Sequence, residues 1–256
     1  FIFNAARDVT DEKETERALA SALSEERRTA EIKSRLVAVT SHEFRTPLAS
    51  VTLAAASLIR HWDRLDENSV RSRIRTIVDT TDYLTNLVND VLDLGSLASA
   101  SSVEEAIDVE LRVFLGDLCR SLLSSKSGES ERIDLRFPDF PIILKTRPRL
   151  LRRAVVNLLE NALKYSSKDQ TVIVKLDLEG NEIVISFIDS GRGVPSGSEL
   201  LLFESFFRAP NAVGTPGTGL GLAIVSEAMK HIGGRVTYHP RPEGGSIFSM
   251  YLSYEN

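Results

Sequence analysis

The sequence predicts two domains of unlike texture: an all-α helical hairpin, followed by an α/β sandwich with helices laid on one face of a mixed sheet. Three observations carry this reading. From Glu12 to Arg60 there is no glycine and a single proline, Pro47, which is the texture of one very long helix. A polar stretch, His61 to Asn68, then separates it from a second helical pattern, making an antiparallel pair. Finally, twelve of the fifteen glycines lie at or after Gly180, where helix and strand patterns mix.

The elements follow in order. Phe1 to Ala6 is apolar and strand-like, and Asp11 with Glu14 has the spacing of a helix-opening capping box. Ile32, Leu36 and Val39 step by four and three, as a bundle seam does, and Pro47 is expected to kink the helix. The second helix is expected from an N-cap at Asn68 or Ser69 to Leu97, with Ile74, Ile77, Thr81, Leu84, Val88 and Val91 on one stripe. One hairpin leaves such a stripe uncovered. Pairing with a second copy into a dimeric four-helix bundle covers it, so a homodimer is expected. Gly95 to Ser102 reads as a small-residue linker. Beyond it, helices are expected at Glu110–Ser124, Arg149–Tyr165 and Leu220–His231. Strands are expected at Arg132–Phe137, Thr171–Glu179, Glu182–Asp189, Gly234–His239 and Ser246–Leu252.

Composition removes several function classes. With 42% hydrophobic and 26% charged residues the 256-residue chain can bury a core. A net charge of -5 with no basic half argues against nucleic acid as a partner. The lone cysteine, Cys119, excludes an internal disulfide and suits the reducing cytoplasm, where this segment is expected to lie. The longest apolar stretch, Val51 to Ile59, falls far short of the roughly 18 to 20 residues that span a bilayer. The chain opens at Phe1 in mid-strand, so it is expected to be a fragment whose missing part holds any membrane anchor.

Four constellations carry chemistry. On the long helix stands Ser41-His42-Glu43-Phe44-Arg45-Thr46-Pro47-Leu48. An imidazole is a nucleophile when one nitrogen is free, and Glu43 is placed to take or orient its proton. Thr46, one turn on, can position a hydroxyl or a water against a modified His42. Further along, Asn157, Asn161 and Lys164 recur at four and three, so two amides and an ammonium share one helix edge, able to meet Mg²⁺ and a polyphosphate. Next, Asp189-Ser-Gly191-Arg-Gly193 ends an apolar strand with a carboxylate that can accept from an exocyclic amine, beside glycines that let a ring approach. Last, Gly217-Thr218-Gly219-Leu220-Gly221 opens a helix whose free N–H groups favour phosphate. Its spacing is neither the dinucleotide fingerprint nor a P-loop.

An isolated His–Glu pair would say little, but the full strings resemble the sensor histidine kinases of two-component systems. Ser41 to Leu48 looks like their phospho-acceptor H-box and Asn157 to Tyr165 like their N-box. Asp189 to Gly193 resembles the G1 box, Phe203 to Arg208 the F-box, and Gly217 to Gly221 the G2 box. The resemblance implies a GHKL-type ATP-binding domain of the Bergerat fold, with ATP and Mg²⁺ as cofactors. It implies Asn161 as the Mg²⁺ ligand, with Asn157, Lys164 and Tyr165 beside it. Asp189 would read adenine next to Gly191 and Gly193, and Phe203, Gly217, Thr218, Gly219, Leu220 and Gly221 would line the nucleotide. It implies His42, Glu43, Thr46 and Arg208 as catalytic, Arg208 toward the γ-phosphate, with Glu199–Pro216 as a lid. Phe1 to about Glu16 resembles the exit of a PAS sensor domain.

The domains implied are 1–28 for the sensor exit and signalling helix, 29–98 for the dimerisation and phosphotransfer hairpin, and 99–256 for the ATP-binding domain. Function would be autophosphorylation of His42, then transfer to an aspartate of a response regulator receiver domain, with reverse phosphatase activity through Glu43 and Thr46. Two other readings stay open. An ATP-hydrolysing machine of the Hsp90 or gyrase class would carry a base Glu where this chain has Asn157, and would not need the H-box. A dimeric scaffold that binds ATP without transferring phosphate would leave His42 unmodified. His61, His231 and His239 are expected to be structural or merely exposed.

Overall fold

The computed structural model describes residues 13, 41, 43–98, 104–124, 132–212, 214–215 and 217–254. The strand expected at Phe1–Ala6, the PAS-like exit, the Ile32–Val39 seam and His42 itself lie outside the described residues. Two compact units divide the chain, Phe1–Thr81 and Asp82–Asn256.

In the first unit, helix α1 covers 43–61 and continues through Pro47. A 3-10 turn at Trp62–Arg64 and an extended Leu65 reverse the chain. Helix α2, Glu67–Ala98, then begins two to three residues earlier than expected. Asp66, not Asn68 or Ser69, accepts the Ser69 N–H at 2.6 Å, because a carboxylate one residue ahead of the helix reaches the third free donor. That bond holds the exposed Asp66 carboxyl below its ordinary range. Arg73 on α2 donates from Nε to Ser57 Oγ on α1 at 3.0 Å. Large apolar side chains stay uncovered in this single hairpin, Leu53 at 74% and Ile59 at 84% exposure, with Ile74 and Val78 exposed on α2.

In the second unit α2 runs through Gly95, so the first four residues of the expected linker are helical. Leu94 and Leu97 are buried there, and burial outweighs the loss from one glycine. Strand β1, Ile107–Glu110, leads into α3, Leu111–Ser124. The Glu110 carboxylate accepts the N–H groups of Arg112 and Val113 at 3.2 and 2.8 Å and so caps α3. Buried Cys119 on α3 has its thiol pushed up to about 11 by burial, which makes it a packing residue rather than a nucleophile. Next come β2 (Ile133–Arg136), β3 (Ile143–Thr146), α4 (Pro148–Tyr165), β4 (Val172–Glu179) and β5 (Glu182–Ile188). Helix α5 (Gly221–His231), β6 (Arg235–Pro240) and β7 (Ser246–Ser253) complete the unit.

The main sheet has order β2-β4-β5-β7-β6, parallel between β2 and β4 and antiparallel elsewhere. Alternation sorts its faces. Ile183, Ile185 and Phe187 on β5 pair with Leu252, Met250 and Phe248 on β7, and all are buried. They meet the apolar stripes of α4 and α5, where Leu151, Leu158, Leu159, Ile224 and Val225 are fully buried. Each such side chain contributes about 1.5–3 kcal/mol. On the opposite face the hydroxyls of Ser186 and Ser249 bond each other at 2.8 Å, which satisfies two buried polar groups at once. Strands β1 and β3 form a separate two-stranded antiparallel sheet that the pattern reading missed. Four residues each, with Val109 set against Leu144, are too few to show a period.

Candidate active site

The N-terminal half of α5 and the C-terminal half of α4 lie side by side, with the Gly217–Gly221 loop between them. Pro148 starts α4 in the position that tolerates a missing N–H, and the apolar stripe from Leu150 to Leu163 fixes which edge remains polar. That edge carries Asn157, Asn161 and Lys164. A side chain built at Gly221 would come 2.8 Å from Asn157 Oδ1 and 3.9 Å from Asn161 Nδ2, and one at Gly217 would strike the Lys164 ammonium. Asn157 and Asn161 therefore face the first turn of α5, where the N–H groups are unpaired within the helix, and Lys164 faces the glycine loop that leads into it. Asn157 donates its own Nδ2 to the Arg153 carbonyl at 3.0 Å, which turns Oδ1 toward the loop.

Lys164 is exposed as a whole residue, but its ammonium is crowded. Burial first, then the Arg208 charge, lowers its pKa, while Glu160 and Asp90 oppose the shift. Its Nζ lies 5.0 Å from the centre of the Tyr165 ring.

Asp189 follows β5 and is only 3% exposed. Its Oδ1 accepts the Gly191 N–H at 2.8 Å. Burial raises its pKa; bonds from Gly191 and Ser246 and the Arg241 charge pull the other way. Gly191 has no room for a side chain, because a Cβ would collide with the Tyr165 carbonyl and stand 2.9 Å from Asp189 Oδ1. Gly245 backs the same turn, and a Cβ there would strike the Asp189 carbonyl. Gly245 was not among the residues singled out from sequence; the Gly244-Gly245 pair ahead of β7 is the signal that marks it.

The segment expected to act as a lid, Glu199–Pro216, is, apart from Val213 and Pro216, made of turns and irregular backbone, including 3-10 turns at Glu199–Leu201 and Pro210–Ala212. Phe203 is half-buried in it. Phe206 has φ +66°, unique among the described non-glycine residues, and its N–H donates to the Gly219 carbonyl at 2.9 Å. Gly219, at φ +73°, would place a Cβ 2.9 Å from the Phe206 carbonyl carbon. Phe206 and Gly219 are thus fitted backbone to backbone. Arg208 is turned onto its own segment, donating to the carbonyls of Ala212, at 2.9 Å, and Thr215.

Two residues of α2 that sequence reasoning did not single out also reach this edge. Thr218 Oγ1 donates to Asp90 Oδ2 at 2.6 Å, and Asp93 pairs with Arg153. In the other unit, Glu43 is half-buried and Thr46 exposed on α1. A depression of about 540 Å³ lined by Asp134, Arg136, Ile173 and Arg241 borders the site at Ser190 and Arg241. No described helix is long and apolar enough to cross a membrane.

The arrangement fits a nucleotide. Closely packed glycines, a buried carboxylate at one end and a helix N-terminus flanked by an ammonium at the other match a flat base and a polyphosphate.

Comparison with known proteins gives the same reading. Residues 32–100 match the family described as His Kinase A (phospho-acceptor) domain. Residues 146–256 match the histidine kinase-, DNA gyrase B- and HSP90-like ATPases. The chain is 32% identical over 245 residues to the sensor protein KdpD of Escherichia coli K12, covering 93% of this chain and 26% of that protein. It is 28% identical over 225 residues to the circadian input-output histidine kinase CikA of Synechococcus elongatus, covering 86% and 30%. It thus spans under a third of the length of either relative. Among solved structures, the Acinetobacter baumannii histidine kinase AdeS shares the fold with TM-score 0.64 at 20% identity, over 84% of this chain and 98% of that one. Full-length ShkA, solved in complex with AMPPNP, aligns with TM-score 0.56 at 28% identity over 87% of this chain and 46% of that one. The helical hairpin, the mixed-sheet ATPase region and these matches together place the chain in the family of two-component sensor histidine kinases.

Proposed function

We propose that the chain transfers the γ-phosphoryl group of ATP to His42 and passes it to an aspartate on the receiver domain of a response regulator. The observation that carries this is the convergence of Asn157, Asn161 and Lys164 on the Gly217–Gly221 loop that opens α5. In the first step an imidazole nitrogen of His42 forms a bond to the γ-phosphorus, the bridging P–O bond breaks, and ADP departs with the electron pair. Glu43 takes the imidazole proton. Asp189 orients the adenine amine, and Lys164 balances phosphate charge. Asn157 is a neutral amide and a poor base, so water near the γ-phosphate is not activated and ATP is kept for His42.

Mg²⁺ suits this site. Among the described residues no three His, Cys, Asp or Glu side chains cluster to hold a metal alone. Asn161, supported by Asn157, would hold the ion in company with phosphate oxygens, where it would neutralise phosphate charge.

The exposed apolar side chains Leu53, Ile59, Ile74 and Val78 support pairing of two hairpins into a homodimeric bundle within 29–98. Residues 99–256 are then the ATP-binding domain and 1–28 the link from an upstream sensor in a cytoplasmic signalling protein. Glu43 and Thr46 would serve the reverse reaction by positioning water against the phosphorylated regulator.

The test is incubation of the 256-residue chain with Mg²⁺ and ATP labelled in either the α or the γ position. The reading expects acid-labile label from γ-labelled ATP only, and none in His42→Ala. Release of inorganic phosphate without labelled protein, undiminished in His42→Ala, would make the chain an ATPase instead.

A further inference from the structure

We propose that Arg192 is a positioning residue for nucleotide binding, tying the lid to the loop that follows β5. The inference rests on the ATP site proposed above. Arg192 lies between Gly191 and Gly193, in a position the motif leaves open. Its Nη1 donates to the Asn211 carbonyl at 2.6 Å and its Nη2 to Thr215 Oγ1 at 3.0 Å. Asn211 answers with its own amide, donating Nδ2 to the Gly193 carbonyl at 3.0 Å. The Arg192 guanidinium also lies 5.8 Å from the centre of the Tyr165 ring. Three hydrogen bonds and a ring contact therefore join the stretch around 211–215 to 191–193 and to the last residue of α4.

Thr215 makes this more than a surface contact. Its hydroxyl receives Arg192, and its carbonyl receives Arg208, which also donates to Ala212. Whatever Arg192 does to Thr215 it does to the segment that holds Arg208, the residue assigned to the γ-phosphate. Arg192 thus joins the adenine side of the site, at Gly191 and Tyr165, to its phosphate side. The task suits arginine alone. A planar fork delivers two divergent donors while its face lies on a ring, whereas a lysine ammonium is a single point that cannot reach both acceptors.

The bonds to Asn211 and Thr215 are open to solvent, so their loss should weaken nucleotide binding without unfolding the domain. The experiment is autophosphorylation of the whole chain against ATP concentration for wild type, Arg192→Ala, Arg192→Lys and Thr215→Val. Hydrogen exchange across 209–215 is followed in the nucleotide-free proteins. The expected result for Arg192→Ala is a KM for ATP raised about 3- to 10-fold with kcat held within about twofold, the pattern of lost binding rather than lost chemistry. Arg192→Lys should not rescue it, Thr215→Val should move the same way by less, and exchange at 209–215 should rise in both Arg192 variants. An unchanged KM and unchanged exchange in Arg192→Ala would overturn the inference. If wild type itself takes no label from ATP, it is the proposed function that fails, and the exchange measurement still decides whether Arg192 holds the lid.

Discussion

Asp90 Oδ2 accepts a 2.6 Å hydrogen bond from Thr218 Oγ1, so a carboxylate from α2 sits against the loop that opens α5. A helix N-terminus with a nearby ammonium attracts a carboxylate for the same reason that it attracts phosphate. Lys164 acts on Asp90 in that sense, while Asp93 and Glu160 repel it. Bound phosphates and Asp90 would therefore compete for the Thr218 hydroxyl and the Lys164 charge. Asp90→Asn keeps an oxygen for Thr218 but removes the negative charge. Its ATP affinity, measured by titration calorimetry, is expected to rise about 3- to 10-fold, or roughly 1 kcal/mol. Equal or weaker binding would contradict the competition.

The same residue sets a pH dependence. Burial raises the Asp90 pKa more than the Thr218 bond lowers it, and Asp93 is raised by burial despite Arg153. A carboxyl raised in the folded state contributes stability that is fully present below its unfolded value and lost as pH rises through the folded value. Wild type and Asp90→Asn should thus melt at similar temperatures in acid. The variant should become the more stable of the two as pH rises past the ordinary carboxylate range. Calorimetric melting at several pH values checks this, and a gap that shrinks with rising pH would refute the sign.

Gly191 and Gly116 should respond oppositely to alanine. At Gly191 the new Cβ meets the Tyr165 carbonyl and Asp189, backbone and a buried carboxylate that cannot yield. A loss of about 1–3 kcal/mol is expected, with ATP binding reduced by more than about tenfold. At Gly116, inside α3, the nearest atoms are the Arg120 guanidinium nitrogens at 3.9 Å. There the helix should gain about 0.4–1 kcal/mol with ATP binding unchanged. Denaturant melts and nucleotide titration of both variants decide it.

Asp189→Asn should weaken ATP far more than it weakens the fold. The carboxylate keeps its bond from the Gly191 N–H, and an amide oxygen can inherit that bond. With that oxygen taken, the amide turns a donor toward the exocyclic amine, and the charge-assisted bond lost is about 1.5–3 kcal/mol. Parallel titrations with ATP and GTP should show lost preference for adenine, with melting shifted by a few degrees at most.

Much of this site was legible because its parts are local. The spacing of Asn157, Asn161 and Lys164 sets one helix edge before any tertiary contact is known, and Gly217 to Gly221 announces a helix start. Asn157 and Asn161 lie beside Gly221 and Lys164 beside Gly217, so one edge of α4 faces the whole glycine loop. Asp90 was not legible, because its partner Thr218 is 128 residues away and nothing about an aspartate on an amphipathic helix marks which face docks. Arg192 was hidden for a related reason. Its partners Asn211 and Thr215 stand 19 and 23 residues away in sequence, and no local spacing marks them. Strands β1 and β3 escaped because each depends on the other for its hydrogen bonds, and Asp66 takes the cap because it stands just ahead of Glu67, which puts Asn68 and Ser69 inside the first turn.

The central claim is that phosphate leaves ATP for one nitrogen atom, on His42. The measurement that tests it most directly is tandem mass spectrometry of the chain after incubation with ATP and Mg²⁺, with digestion kept at neutral to alkaline pH so that a phosphoramidate survives. The account predicts one added phosphoryl group on the peptide that contains Ser41 to Arg45, assigned to His42, and none in His42→Ala. A phosphoryl group on Ser41, on Thr46 or on any residue of the second unit, with His42 unmodified, would contradict it.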